Sequence, residues 1–213
     1  MGRRREHDLD AVLDHARSLW AEGGAGAVTI RALSAASGVS NGAIYHAFGS
    51  RDGLMATVWT REAGRLLDLQ DTLVQSARDA APDPEAAAVA AVVAAATAPA
   101  TYAVEHPDGA RLLLSVTDDR LLDGDLAPEQ RDHLLSLRTS LGSRIAGLST
   151  QLWGRDDRAA QAVVRACVVQ LPAALLHPRA LLDAATARSL LERAVRGVLA
   201  GPPPPPPERP EGT

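Results

Sequence analysis

The stretch SNGAIYHAFGS, residues 40–50, concentrates side chains that combine a flat ring with a polar handle. The whole chain holds two tyrosines and one phenylalanine, and this stretch has one of each, with His46 between Tyr45 and Phe48. At 3.6 residues per turn, Ile44, Ala47 and Phe48 share an inward face, and Gly42, Tyr45 and His46 point outward. A phenol hydroxyl and an imidazole on an outward face suit phosphate oxygens or base edges, and Gly42 leaves room for close approach. The competing reading is that Tyr45 packs against the preceding helix; spacing alone leaves both open.

The neighbouring residues define the elements that must hold this face. Leu9, Val12, Leu13, Ala16, Leu19 and Trp20 form an apolar stripe that predicts a first helix from about Asp8 to Glu22, broken by EGGAGAV. Thr29 suits the N-cap of a short helix, Ile30 to Ala36, which Gly38 ends. Ser40 then caps Asn41 to Phe48, and Ser50 caps a long helix from Arg51 to about Ala80. Two short helices joined by SGV have the geometry of a helix-turn-helix, whose second helix can enter a major groove. The backbone amides at Thr29 and at Ser50–Arg51 favour anions such as phosphate. Glu62 falls in the apolar arc of the long helix, and spacing gives no account of it.

Beyond residue 80 the helical period continues. An alanine-rich helix runs to about His106 with Pro99 inside it as a kink, and Pro107 and Pro128 suit first-turn positions. TDDRLLDGDLA, residues 117–127, reads as a loop. Leu134, Leu137, Leu141, Ile145, Leu148 and Leu152 form the stripe of a further helix. From Asp156 to Leu171 few polar positions remain, so that helix must be covered on both sides. A last helix is expected from about Ala184 to Ala200, and GPPPPPPERPEGT closes the chain as a disordered, polyproline-like tail over 201–213. The fold class is all-α.

Bulk properties narrow the classes. The chain of 213 residues carries a net charge of −4, yet residues 1–61 hold seven arginines against six acids. Every basic residue is arginine. The small positive excess at one end is compatible with DNA contact without requiring it. A single cysteine, Cys167, fits a reducing cytosol. No uninterrupted apolar run reaches the roughly 18 residues of a membrane span, and the N-terminus lacks the apolar core of a secretory signal. A cytoplasmic protein without a membrane partner is expected. The histidines show no metal-ligand spacing, and no phosphate loop, nucleophile elbow or paired catalytic carboxylate stands out. Asp118, Asp119, Asp123 and Asp125 lack the spacing of a calcium loop. No enzyme, cofactor or metal is expected.

The segment TIRALSAASGVSNGAIYHAFGSRDGLMATVW resembles the TetR-type DNA-binding domain. The resemblance covers residues 8 to about 60. It departs at Ala43, where Ser or Thr is common, and at Arg51, where Lys is usual. It implies a three-helix helix-turn-helix domain at 1–50 (with an arm at 1–7) and a helical effector-binding and dimerisation domain at 51–200. The implied function is a regulator, most often a repressor, that binds a palindromic operator as a homodimer and is released by a small ligand; the alanine-rich, aromatic-poor composition favours a hydrophobic effector. Carried over by position, the DNA contacts are Thr29, Arg31, Ser40, Asn41, Gly42, Tyr45, His46 and Arg51, with Arg3–Arg5 as an added arm.

The same resemblance implies a dimer interface on the last two helices, placed at Val163, Val164, Cys167, Leu171, Leu191, Val195 and Val198. Polar or aromatic effector contacts are expected from Tyr102, His106, His133, Arg138 and Trp153. Two alternatives remain at this stage: a DNA-binding regulator without an effector, and a helical interaction protein that has lost operator binding.

Overall fold

Local capping chemistry sets most element boundaries in the computed structural model, which describes residues 2–177, 182–201 and 205, with side chains from residue 9. All regular structure among these residues is helical. In order come α1 (Gly2–Gly23), a 3₁₀ turn (Ala25–Ala27), α2 (Ile30–Ser37), α3 (Asn41–Phe48), α4 (Arg51–Asp79), α5 (Pro84–Glu105) and α6 (Pro107–Ser115). Then follow α7 (Asp118–Leu122), α8 (Pro128–Trp153), α9 (Arg158–Arg165), a π-helical turn (Ala166–Gln170), α10 (Leu171–Leu176) and α11 (Ala184–Leu199).

Three expectations need correction. The first helix starts at Gly2, not Asp8, so the arm expected at 1–7 has helical backbone from residue 2; the Arg3–Arg5 side chains lie outside the described residues. The segment read as a loop at 117–127 contains α7, because Thr117 accepts a hydrogen bond from the Arg120 amide and nucleates a turn. The helix expected to stop at Leu171 continues through Pro172 to Leu176. Proline cannot donate to the carbonyl four residues back and its ring crowds that carbonyl. The π turn immediately before Pro172, where the Leu171 amide reaches the Ala166 carbonyl, relieves that crowding. Of the Pro-rich tail, only Gly201 and Pro205 fall within the described residues.

The chain forms two compact units that do not follow it linearly. The first joins residues 1–65 to 106–138. Its core comes from α1 (Val12, Leu13, Ala16), α2 (Leu33), α3 (Ile44, Phe48) and α4 (Leu54, Met55, Val58), and also from Leu112, Val116, Leu121 and Leu134. Two indoles tie in α6: Trp20 Nε1 donates to Ser115 Oγ at 2.8 Å, and Trp59 Nε1 to the Val116 carbonyl at 3.1 Å.

Glu62 also finds its account in this unit. It is fully buried, with Arg65 at 2.9 Å, Arg17 at 3.4 Å and Arg61 at 3.5 Å from Oε1. A buried carboxylate persists when paired and hydrogen-bonded, and this one fastens α1 to α4 through Arg17.

The second unit comprises residues 66–105 and 139–213. Its core is built from small side chains: Ala91, Val92, Val93, Ala95 and Ala96 of α5 against Ile145, Leu148, Val164, Cys167, Val168 and Val195. Alanines let α11 lie close along α5. Pro99, inside α5, leaves the Ala95 carbonyl without its helical donor, and buried Gln70 supplies one through Nε2 at 2.9 Å. Arg144 forks onto both oxygens of Asp71 at 2.9 and 2.6 Å. Burial pushes the Cys167 thiol up to about 11, which keeps it protonated and inert.

Two helical stretches, Pro84–Glu105 and Arg158–Leu176, are long and apolar enough to cross a membrane by length and composition. The first is mostly a core helix of the second unit, with 56% of its apolar window buried.

Candidate nucleic-acid interface

The α2–α3 pair is fixed by a chain of short-range bonds. Thr29 Oγ1 accepts from the Ala32 amide at 3.1 Å and starts α2. Gly38 ends it at φ 73°, a left-handed conformation that glycine adopts without penalty, with its amide on the Ser34 carbonyl. Ser37 braces the turn by donating to the Leu33 carbonyl and accepting from the Val39 amide. Ser40 Oγ then accepts from the Ala43 amide at 3.2 Å and starts α3.

Within α3 only Ile44 and Phe48 are buried. Asn41, Gly42, Ala43, Tyr45, His46 and Ala47 are exposed, Tyr45 by 53%. Tyr45 therefore points away from the core, which removes the reading in which it packs on α1. Ala47, expected to face inward, is exposed: two large anchors one turn apart hold a helix of this length, and alanine adds little apolar area to bury. A Cβ on Gly42 would meet nothing within 4 Å, so the helix surface there is open to a close approach. Arg31 and Thr29 are exposed on the same helix pair.

Arg51 behaves differently from the expectation. Its Nε donates to the Val28 carbonyl at 2.8 Å, and its Nη2 donates to the Ala25 carbonyl. The guanidinium thus ties the start of α4 to the connection before α2, rather than standing open to a phosphate. Sequence could not show this, because the acceptors are backbone carbonyls more than 20 positions away.

Tertiary contacts hold the interface from below. Ser50 Oγ accepts from the Gly53 amide at 2.8 Å, capping α4, and donates to the Asp125 carbonyl at 2.6 Å. Asp52 accepts from the Asp125 amide at 3.2 Å. Gln130 Nε2 donates to the Phe48 carbonyl at 3.1 Å. Gly53 is required by close approach, since a Cβ there would lie 2.3 Å from the Phe48 oxygen. The sequence signals among these were Ser50, legible as the cap of α4, and Pro128, a first-turn position two residues before Gln130.

The residues expected to contact an effector are divided between the units. His106, His133 and Arg138 belong to the first, and Tyr102 and Trp153 to the second. Arg138 is engaged by Asp118 at 2.9 Å and Asp119 at 2.6 Å, and those two hydrogen bonds, Asp119 foremost, raise its pKa further. Tyr102 is buried, and Trp153 packs against the second core. His133 lines an open cleft of about 380 Å³ with Leu13, Thr57, Thr60, Arg61 and Gln130.

The expected dimer residues also divide. Val164, Cys167, Leu191 and Val195 are fully buried inside the second unit's own core, so they cannot form a partner-facing surface. Val163 and Leu171 are half-buried and Val198 is 44% exposed, so these three remain accessible.

Two capped helices around a glycine turn, with the second presenting polar and aromatic groups outward, define a helix-turn-helix DNA-binding domain on an all-α chain. Residues 12–58 match the family of bacterial regulatory proteins, tetR family. The HTH-type transcriptional repressor AcnR of Corynebacterium glutamicum is 33% identical over 86 residues, which are 39% of this chain and 46% of that protein. AcnR of Corynebacterium efficiens is 36% identical over 76 residues, 35% of this chain and 40% of that one. The matched stretch thus spans less than half the length of either relative.

Solved structures share the fold over most of the chain. PfmR of Thermus thermophilus, a TetR family transcriptional regulator, aligns with a TM-score of 0.61 at 19% identity, covering 89% of this chain and 97% of that one. A Rhodococcus regulatory protein in the tetR family gives 0.62 at 20% identity, covering 91% and 95%. FadR of Bacillus subtilis, solved with stearoyl-CoA, gives 0.61 at 13% identity, covering 87% and 96%.

Proposed function

We propose that this chain is a ligand-responsive transcriptional repressor that binds a palindromic operator as a homodimer in the cytoplasm, with α3 as the recognition helix. The observation that carries the reading is the outward face of α3: Asn41, Gly42, Tyr45 and His46 exposed, with Ile44 and Phe48 anchored beneath them. Arg31 and the helix starts at Thr29 and Ser40 add groups suited to phosphate oxygens. Arg51 is a latch for the domain, not a phosphate clamp. Tyr45→Phe should therefore weaken operator binding with stability unchanged, whereas Arg51→Ala should lower both.

A two-fold dimer would set the two α3 helices roughly 34–36 Å apart, one turn of B-DNA. Only 28% of the apolar window in Arg158–Leu176 is buried in the protomer; Val163 and Leu171 of that stretch are half-buried, and Val198 of α11 is exposed. A second copy would cover this apolar surface. Sedimentation should find a dimer at micromolar concentration; a stable monomer overturns this part. The alanine- and valine-rich second unit, together with the stearoyl-CoA held by FadR of Bacillus subtilis, supports a long-chain hydrophobic effector. An acyl-CoA that binds should raise the melting temperature and lower operator affinity.

Fluorescence anisotropy with the promoter DNA flanking the gene tests the whole reading. Salt-sensitive, sequence-preferring binding is expected. Equal affinity for operator and random duplex rejects it.

A further inference from the structure

We infer that Gln130 is a positioning residue for the recognition helix, capping the C-terminus of α3 from the start of α8. The inference rests on α3 being the DNA-reading element. The last carbonyls of any helix lack an intrahelical donor, and Phe48 is the last residue of α3. Its oxygen accepts from the Ser50 amide at 2.8 Å and from Gln130 Nε2 at 3.1 Å.

The Gln130 amide has only one orientation that satisfies both its neighbours. Gln130 is the third residue of α8, and its Oε1 accepts from the Ala127 amide at 3.0 Å, one half of a capping box. With the oxygen held by an N–H, the amide NH₂ must face the Phe48 carbonyl, which can only accept. The start of α8 therefore aims the donor.

Close packing locks the arrangement. A Cβ on Gly53 would stand 2.3 Å from the Phe48 oxygen and 2.5 and 2.7 Å from the Gln130 amide atoms, so the contact exists only because residue 53 is glycine. The same segment grips the α3–α4 turn twice more, through Ser50 Oγ on the Asp125 carbonyl and the Asp125 amide on Asp52. Tyr45 lies one turn before this clamp and is joined to it, because its carbonyl accepts from the Gly49 amide at 2.9 Å. The Ser40 cap holds the other end. The pitch of the exposed face is set between these two ends, and one of them is supplied from residues 125–130.

The test is Gln130→Glu in the full chain. Glutamate keeps the acceptor for Ala127 and the α8 start, but replaces the donor by a carboxylate facing a carbonyl. Hydrogen exchange of the peptide spanning residues 41–53 should quicken severalfold while the melting temperature holds. Operator affinity should fall about tenfold, with affinity for random duplex unchanged, so the specificity ratio falls. A merely structural role would move both DNA affinities together.

Gly53→Ala, which forces the same atoms apart, should reproduce the effect, and the double variant should be no worse than Gly53→Ala alone. Exchange rates over 41–53 equal to wild type overturn the inference, and so does an unchanged specificity ratio. A wild-type protein that shows no operator preference rejects the DNA-binding reading instead. The exchange experiment then decides the Gln130 contact by itself.

Discussion

The two compact units solve the same problem, starting a helix, with different chemistry. In the first, α2, α3, α4 and α7 are capped by hydroxyls: Thr29, Ser40, Ser50 and Thr117. In the second, α5, α9 and α11 are capped by carboxylates: Asp83, Asp157 and Asp183. A carboxylate is favoured by the positive end of a helix dipole, so the second choice suits helices that need only be stable. A carboxylate facing a phosphate backbone would repel it. Neutral caps leave the amino ends of α2 and α3 attractive to anions, and the one acid in the first turn of α4, Asp52, is turned onto the Asp125 amide. The cores differ in parallel: Leu33, Ile44, Phe48 and Leu54 fill the first, whereas alanines and valines fill the second.

The largest effect should come from the first core. Leu33→Ala opens a cavity under the helix-turn-helix, and urea unfolding should show a loss of about 2–5 kcal/mol. The second core should resist the opposite change: Ala96→Leu overpacks the α5 interface and should cost about 1–3 kcal/mol in the same assay. If Leu33→Ala is mild and Ala96→Leu neutral, the contrast between bulky and close-packed cores is wrong.

Cap chemistry gives a sharper, smaller test. Ser40→Asp keeps a strong N-cap, so the melting temperature should hold, while operator affinity drops by about tenfold, or ~1.4 kcal/mol. Unchanged affinity in anisotropy would break the link between hydroxyl caps and DNA.

Acid should give the smallest effect, through the carboxylate caps of the second unit. The Asp157 carboxyl is held down at about 2, chiefly by the Arg155 guanidinium and then by the Ala160 and Ala159 amides; the Thr186 backbone and hydroxyl lower Asp183. The folded state thus binds fewer protons than the unfolded chain, whose aspartates titrate near 3.8. This contribution is complete above pH ~5 and is lost as pH falls toward 2. Hydroxyl caps do not titrate. Fluorescence of Trp153, read in a single-tryptophan variant, should change as the pH falls toward 2, and Asp157→Asn should shrink that change. An acid response of Trp153 that is the same in the variant would contradict the role of the Asp157 cap.

How legible each feature was depended on how far apart its parts lie in the chain. The starts of α2, α3 and α4 and the exposure of Tyr45 followed from Thr29, Ser40, Ser50 and the 3.6 period, because caps act within three residues. The bonds of Arg51 were not legible because its partners, the Val28 and Ala25 carbonyls, leave no trace in side-chain pattern. Glu62 had no explanation until Arg17 came beside it from α1. Val164 and Cys167 looked like interface for a related reason. A helix apolar nearly all round does not say which side its own protomer covers. The role of Gln130 needed a tertiary contact to a carbonyl 82 positions away.

The membership of residues 106–138 in the first unit has a consequence for the chain's synthesis. Leu112, Val116, Leu121 and Leu134 belong to the core under the helix-turn-helix, yet a ribosome delivers them after the whole of α5. The first unit cannot close its core until about residue 138 has emerged, and residues 66–105 must wait as a tethered loop meanwhile. A nascent chain halted near residue 65 would display an unfinished apolar surface, open to chaperones and proteases. Residues 1–65 therefore stay incomplete until residue 138 follows, and the second unit waits longer still, for residues 139 onward.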